Sequence, residues 1–321
     1  MIELIIQNSG NGNIYDVSDV VSDLNQEETI NGSPGKLSFK LKSDEVLKIE
    51  NGSIVRFKHN GKDKFYGYVF KISHPNEYQI EVTAYDQLRY LKNKDTYVFG
   101  NGTLEERIAK ICYDFGLKIG NLDSTYFLLP AKIFDNKSLG DIIQESANGV
   151  LIGTTKRYVI KDNFGKIELY DLEKLKTNIV ITEGSLLVNQ KYEESIDSDT
   201  YNQIKLVKEN KKTKKREVYI SKDSNNIYKY GMLQMYEKVD ENSNEEQIKE
   251  KADRYLRLKN SPTRKLSLEV LGNENIVAGC GLYVDLTISS KEKIQQYVLV
   301  KSVKTKYEEN HFSMSLEVEV E

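Results

Sequence analysis

The sequence predicts an α+β, mostly β protein in which two related antiparallel β-barrel domains flank a small α+β domain. Three observations lead there. Residues 36–69 and 265–298 align without a gap at a constant offset of 229, with ten of 34 positions identical. Apolar and polar residues alternate with period two at both ends of the chain, as strands require. Between about residue 96 and about residue 190 the spacing becomes helical.

The repeat is specific in its residues. Lys36-Leu37-Ser38 falls on Lys265-Leu266-Ser267, Gly52 on Gly281, Val55 on Val284, and Tyr68-Val69 on Tyr297-Val298. Ser33-Pro34 recurs as Ser261-Pro262, one residue further away. Phe39, Leu41 and Phe57 meet Leu268, Val270 and Leu286, so the apolar pattern survives substitution. Gly52 and Gly281 are therefore expected at equivalent turns. Phe39, Leu41, Val55, Phe57, Leu268, Val270, Val284 and Leu286 are expected on barrel-core or ring-contact strands.

The first domain, residues 1–95, opens on a strand at Met1-Ile2-Glu3-Leu4-Ile5-Ile6-Gln7. In Lys36-Leu37-Ser38-Phe39-Lys40-Leu41 three apolar side chains share one face. Asn51-Gly52 and Asn60-Gly61 supply turns around Ile54-Val55-Arg56-Phe57-Lys58. Strands follow near residues 65–72 and 78–85. Short strands joined by Gly and Asn turns indicate an antiparallel barrel or sandwich.

The second domain, residues 96–184, begins with Thr103-Leu104-Glu105-Glu106, a capping box that satisfies free amides at a helix start. Leu104, Ile108, Ile111, Cys112 and Phe115 form its apolar stripe, and Gly116 is placed to end it. A second helix starts at Ser138, with Leu139, Ile142, Ile143 and Ala147 on one face and Asn148-Gly149 at its expected end. Two strands then flank the turn Asp162-Asn163-Phe164-Gly165.

The third domain, residues 185–321, repeats the barrel with additions. A hairpin is expected from Tyr201 to Lys222, its tip at Asn210-Lys211-Lys212-Thr213-Lys214-Lys215. An added helix, residues 245–259, is capped near Ser243-Asn244, with Ile248, Ala252, Tyr255 and Leu256 on its packing face. It is expected to cover the second barrel or a neighbouring chain. Phe312, Met314, Leu316, Val318 and Val320 mark the last strand.

A net charge of −3 over 321 residues supplies no global attraction to nucleic acid or anionic lipid. No run approaches the roughly 20 apolar residues of a membrane span, and the start lacks the basic and apolar regions of a signal peptide. Folding in the cytoplasm is the expectation. Cys112 and Cys280 lack metal spacing and read as buried thiols.

Catalytic patterns do not emerge. His59, His74 and His311 have no partners at ligand spacing and read as surface residues. The lysines at 211–215 are flanked by Glu209 and Glu217 and lack interleaved aromatics, so a solvated tip fits better than a nucleic-acid site. Glu193, Glu194, Asp197 and Asp199 could form an acid and base pair only at a separation that sequence does not show. The chain holds 21 tyrosines and no tryptophan, a distribution that suits strand packing and protein contacts. No cofactor or metal is expected, and no enzyme activity.

The residues also carry a family resemblance. Leu37-Ser38-Phe39-Lys40-Leu41, Gly52 before Ile54-Val55-Arg56-Phe57, and Phe65-Tyr66-Gly67-Tyr68-Val69 resemble the opening barrel of baseplate hub proteins from contractile phage tails. The helices at Thr103 and Ser138, with the strands to Leu169, resemble their insert. Gly279 and Gly281 before Tyr283-Val284-Asp285-Leu286 are similar to the second, tail-tube-like barrel. The chain looks most like the short hub of PBSX-like tails of Gram-positive phages and contractile bacteriocins, in the late control protein D superfamily.

This resemblance implies a homotrimer whose six barrels form a pseudo-sixfold ring, adapting a sixfold tail tube protein to a threefold central spike protein. It implies baseplate wedge proteins and a tape measure protein as further partners, DNA passing without sequence-specific binding, and no membrane partner. It implies assembly in the bacterial cytoplasm and a final place in a phage or bacteriocin particle. The rival expectations are a tail-associated cell-wall hydrolase and a glycan-binding tail module.

Overall fold

The computed structural model describes every residue except 31, 44–45, 211–214, 240–243, 291, 310 and 321. The lysines expected at the hairpin tip, residues 211–214, and the expected cap residue Ser243 thus lie outside the described residues. The chain forms two compact units, one of Met1–Lys191 with Leu266–Glu321 and one of Tyr192–Lys265.

In chain order the larger unit carries β1 (Ile2–Gln7), β2 (Ile14–Asp16), β3 (Val21–Thr29), β4 (Lys36–Lys42), β5 (Ile54–His59), β6 (Lys62–Asn76), β7 (Gln79–Tyr85) and β8 (Lys94–Phe99). Helix α1 (Leu104–Asp114), β9 (Ile119–Leu122), β10 (Lys132–Ser138), helix α2 (Leu139–Thr154), β11 (Tyr158–Asp162), β12 (Ile167–Asp171) and β13 (Lys176–Thr182) follow. Strand β14 (Leu187–Ser195) leads into the smaller unit, which holds β15 (Gln203–Asn210), β16 (Lys215–Lys222), α3 (Ser224–Tyr230), β17 (Gln234–Val239) and α4 (Glu245–Lys259). The chain returns along β18 (Thr263–Leu271) and closes with β19 (Gly281–Ser289), β20 (Glu292–Tyr307) and β21 (Phe312–Glu319).

The repeat is visible in the pairing. Strands β4-β7-β6-β5 lie in that order, and β18-β21-β20 with β19 beside β20 repeat it in the same sheet, where β19 branches off the path that continues from β20 to β3. The turn before the second strand of each repeat has the same bonds. Gly52 N donates to Val69 O at 2.7 Å and Val69 N to Ser53 O at 2.8 Å; Gly279 N donates to Val300 O at 2.8 Å and Val300 N to Cys280 O at 3.0 Å.

This corrects the glycine equivalence. Gly52 has φ +85° and Gly279 φ +91°, whereas Gly281 is the first residue of β19 and has no such conformation. Tyr68 pairs with Ile54, and its structural counterpart opposite Gly281 is Leu299 instead of Tyr297. The gap-free alignment slips by two residues in each of these strands. A slip of two leaves every side chain on its own face, so the apolar pattern could not reveal it.

All eight expected barrel residues are buried: Phe39, Leu41, Val55, Phe57, Leu268, Val270, Val284 and Leu286 are each at most 2% exposed. The first four share a core cluster with Leu4, Leu37 and Tyr307.

Between the repeats, α1 and α2 build a core of their own with Leu104, Ile108, Ile111, Leu139 and Ile142, against β11 and β12. Thr103 and Glu106 cap α1 reciprocally, satisfying two amides that the first turn leaves open. Helix α2 does not stop at Asn148-Gly149 but runs to Thr154. Gly149 and Gly153 are there for close packing, because a Cβ at Gly153 would lie 2.1 Å from the Phe127 ring and one at Gly149 2.7 Å from Leu129. Burial of Val150 on the same helix outweighs the modest glycine penalty.

The smaller unit corrects the placement of the added helix. Helix α4 packs on the sheet β16-β15-β17 of that unit. Ile248 and Ala252 bury against Ile204 and Leu206, with Tyr255 and Leu256 at the margin. Asn244 caps the helix reciprocally with Gln247. Sequence patterning identified the apolar face but not its partner, because any sheet with an apolar face satisfies the same stripe.

Candidate functional site

The most informative surface is the seam where the second repeat meets the first. Ser302 to Tyr307 of β20 pair antiparallel with Thr29 to Leu24 of β3, and Ile30 N donates to Lys301 O at 3.0 Å. The seam is filled by Tyr307, 5% exposed. Its ring stands edge-on to Phe57 at 4.8 Å and stacks on Phe312 at 5.6 Å. Its hydroxyl donates to Gln26 Oε1 at 3.0 Å, and Gln26 Nε2 donates to Lys64 O at 2.9 Å. Burial pushes the phenol far above its ordinary pKa.

A charged cluster locks the same seam. Glu274, from the second repeat, receives both His59 and Lys64 from the first. Burial alone would raise the Glu274 carboxyl, but Lys64 and His59 hold it below the usual carboxylate range. His59 is 5% exposed, which corrects its reading as a surface residue. Its partner is 215 residues away, a distance at which no spacing rule applies. His74 is exposed on β6, and exposed His311 meets Glu308 at 2.8 Å.

Each repeat also has an edge whose counterpart is occupied elsewhere. Strand β5 covers Lys62 to Tyr68 of β6, and beyond it residues 71–76 are paired to β7. In the second repeat, β19 covers β20 as far as Leu299 and the extension is taken by β3. The bulge between Val69 and Lys71 recurs between Val300 and Ser302, which fixes the correspondence of the two extensions as far as Ser73 and Lys304. Strand β14 stands beside β18 as β3 stands beside β4, and it ends the hydrogen-bonded path among the described residues. Sequence reasoning missed these edges, because alternation reports the faces of a strand and not its flanks.

Two acids lie beside a cavity of about 240 Å³ next to the seam, lined also by Gln26, Glu28, Lys64 and Glu274. Desolvation, reinforced by Asp162, pushes buried Asp86 well above its ordinary pKa. Desolvation pushes Asp162 up to about 6. Raised acids in a cavity suggest chemistry, but their oxygens are engaged by main chain. Asp86 accepts from Gly35 N at 2.8 Å and Leu88 N at 3.0 Å. Asp162 accepts from Gly165 N at 2.7 Å and Gln87 N at 3.3 Å. They act as turn caps that fasten the insert to the sheet.

The other candidates stay apart. Glu193 and Glu194 are exposed on β14, and Asp199 pairs with Lys259 at 2.5 Å. Cys112 and Cys280 are free and buried. Among the described residues, no group of three or more His, Cys, Asp or Glu side chains is placed to hold a metal ion. No described helix is long and apolar enough to cross a membrane.

Comparison with known proteins places this architecture. YqbQ of Bacillus subtilis (strain 168) is 31% identical over 254 residues, covering 78% of this chain and 77% of that one. The phage-like element PBSX protein XkdQ of the same organism is 29% identical over 242 residues, covering 74% and 73%. The 43 kDa tail protein of prophage MuSo2 from Shewanella oneidensis has the same fold, with a TM-score of 0.73 at 13% identity and 98% of both chains covered. The expected likeness to phage tail and baseplate proteins therefore holds. The YQBQ-like family profile matches residues 24–319, and the chain belongs to that family.

Proposed function

We propose that this chain is the structural hub of a contractile tail baseplate. Three copies form a ring whose six repeats imitate sixfold symmetry, joining the sixfold tail tube above to a threefold spike below and lining the central channel. The observation that carries this reading is the repeated strand order β4-β7-β6-β5 and β18-β21-β20-β19 within one chain. Two equivalent units per chain allow a threefold assembly to present six similar faces. The tail proteins among its relatives support a structural role in a tail. Tube, spike, wedge and tape measure proteins are the partners this reading supplies.

Cryo-EM of purified tails tests the proposal. Three copies on the tube axis between tube and spike are expected. Six copies at that level, or density away from the axis, would overturn it. Muralytic activity lost on substitution of Glu193 and Glu194, or glycan binding by the purified chain, would favour the rival roles.

A further inference from the structure

We propose that β6 of one copy pairs antiparallel with β14 of a second copy, in the register by which β20 pairs with β3 inside each chain. The inference rests on the hub reading and names the surface through which its copies join. Its basis is a set of internal correspondences. Val69 and Lys71 around the bulge of β6 match Val300 and Ser302 of β20. On the other side, Val21 of β3 opposes Leu41 of β4, and Leu186 O receives Leu271 N from β18. At the far end of β14, Ser195 O receives the Thr263 hydroxyl. These contacts place Ser195 of β14 where Thr29 stands in β3.

Transferring the observed pairs Ser302 with Thr29 and Lys304 with Glu27 sets Lys71 opposite the partner copy's Ser195 and Ser73 opposite its Glu193. Lys71 and Glu193 lie diagonally on one face, an attractive pair of charges within reach across strands.

Pro75 lies beyond the part of the edge that this register uses. The bond from Ile30 N to Lys301 O fixes the alternation of β20, so that Val303 and Thr305 direct their main-chain groups to β3, and Ser302, Lys304 and Lys306 direct theirs to β21. Past Ser73 the correspondence shifts: Ser73 pairs with Glu81 and Asn76 with Gln79, so β6 carries one extra residue there, and Asn76 takes the place that Lys306 holds in β20. By that alternation Ile72 directs its main-chain groups outward, beyond the cover of β5, within the regular stretch of residues 71–73. The pairing is head-to-tail, since β6 and β14 are different edges, and such contacts generate rings when the rotation closes.

Disulfide trapping tests the register. Ser73 and Glu193 would form a non-hydrogen-bonded pair with Cα atoms about 4.5 Å apart, within the range a disulfide spans. The variant Ser73→Cys/Glu193→Cys is oxidised both in purified tails and as purified full-length chain at high concentration. Covalent dimers and trimers are expected, at least tenfold more than from Ser73→Cys/Tyr192→Cys, whose side chains lie on opposite faces. Should the first variant fail to fold, Lys71→Cys/Ser195→Cys reads the same register. No linked species in either preparation, or equal linkage in the shifted control, overturns the pairing. Unlinked chain at the axial tail end overturns the pairing alone, whereas linked chain in solution that is absent from tails overturns the hub reading alone.

Discussion

Tyr307 stands edge-on to Phe57 with ring centroids 4.8 Å apart and planes at 77°. The residue at the end of β20 thereby completes the core of the first repeat. A strand that belongs to the second repeat by sequence is thus an internal part of the first by packing. Replacing Tyr307 with Ala removes a buried aromatic and should cost about 3–5 kcal/mol. Tyr307→Phe leaves Gln26 without the hydroxyl and should cost about 1 kcal/mol. Urea unfolding of the larger unit measures both, and equal losses would show that packing is not the main contribution.

The turn glycines should separate by conformation and not by alignment. Gly52→Ala and Gly279→Ala force a side chain into positive φ and should each cost about 1–2 kcal/mol. A Cβ at Gly281 lies 3.1 Å from the flexible Lys176 side chain, so Gly281→Ala should be milder. Thermal unfolding of the three variants orders them.

Asp162 makes stability fall as pH rises. Its folded pKa of about 6 exceeds the ordinary value of 3.8. Between those values the unfolded chain releases the proton first, so up to roughly 3 kcal/mol is lost across pH 4–6. Asp162→Asn should flatten this part of the profile. Unfolding free energies measured from pH 4 to pH 7 give the answer, and parallel profiles for the two proteins would contradict it.

Ile248 should matter more than Leu256 in the smaller unit, since it is 1% exposed and Leu256 lies at the margin of the same cluster. Ile248→Ala should cost about 2–4 kcal/mol. Hydrogen exchange should quicken in residues 192–265 while the core around Phe39 and Phe57 keeps its protection. Uniform loosening of the whole chain would instead make the two units one cooperative body.

Local order was legible because it depends on neighbours in the chain. The capping box at Thr103 and Glu106, the alternation in β4 and the apolar stripe of α4 each follow from residues within a few positions of one another. The seam was not legible in that way. Glu274 meets His59 and Lys64 only because β3 and β20 pair, and nothing within either segment encodes that choice.

The sequence by itself determined that the chain is mostly β, that its ends repeat, and which side chains face inward, since period-two alternation survives any even slip in register. Tertiary structure decided the register, and with it the choice of Gly279 over Gly281 as the counterpart of Gly52. It also decided that α4 belongs to the sheet of β15, and that the second repeat closes on the first through β3. The physical reason is that main-chain bonds and burial select partners by geometry across hundreds of residues, and an apolar pattern specifies that a face must be covered without specifying by what.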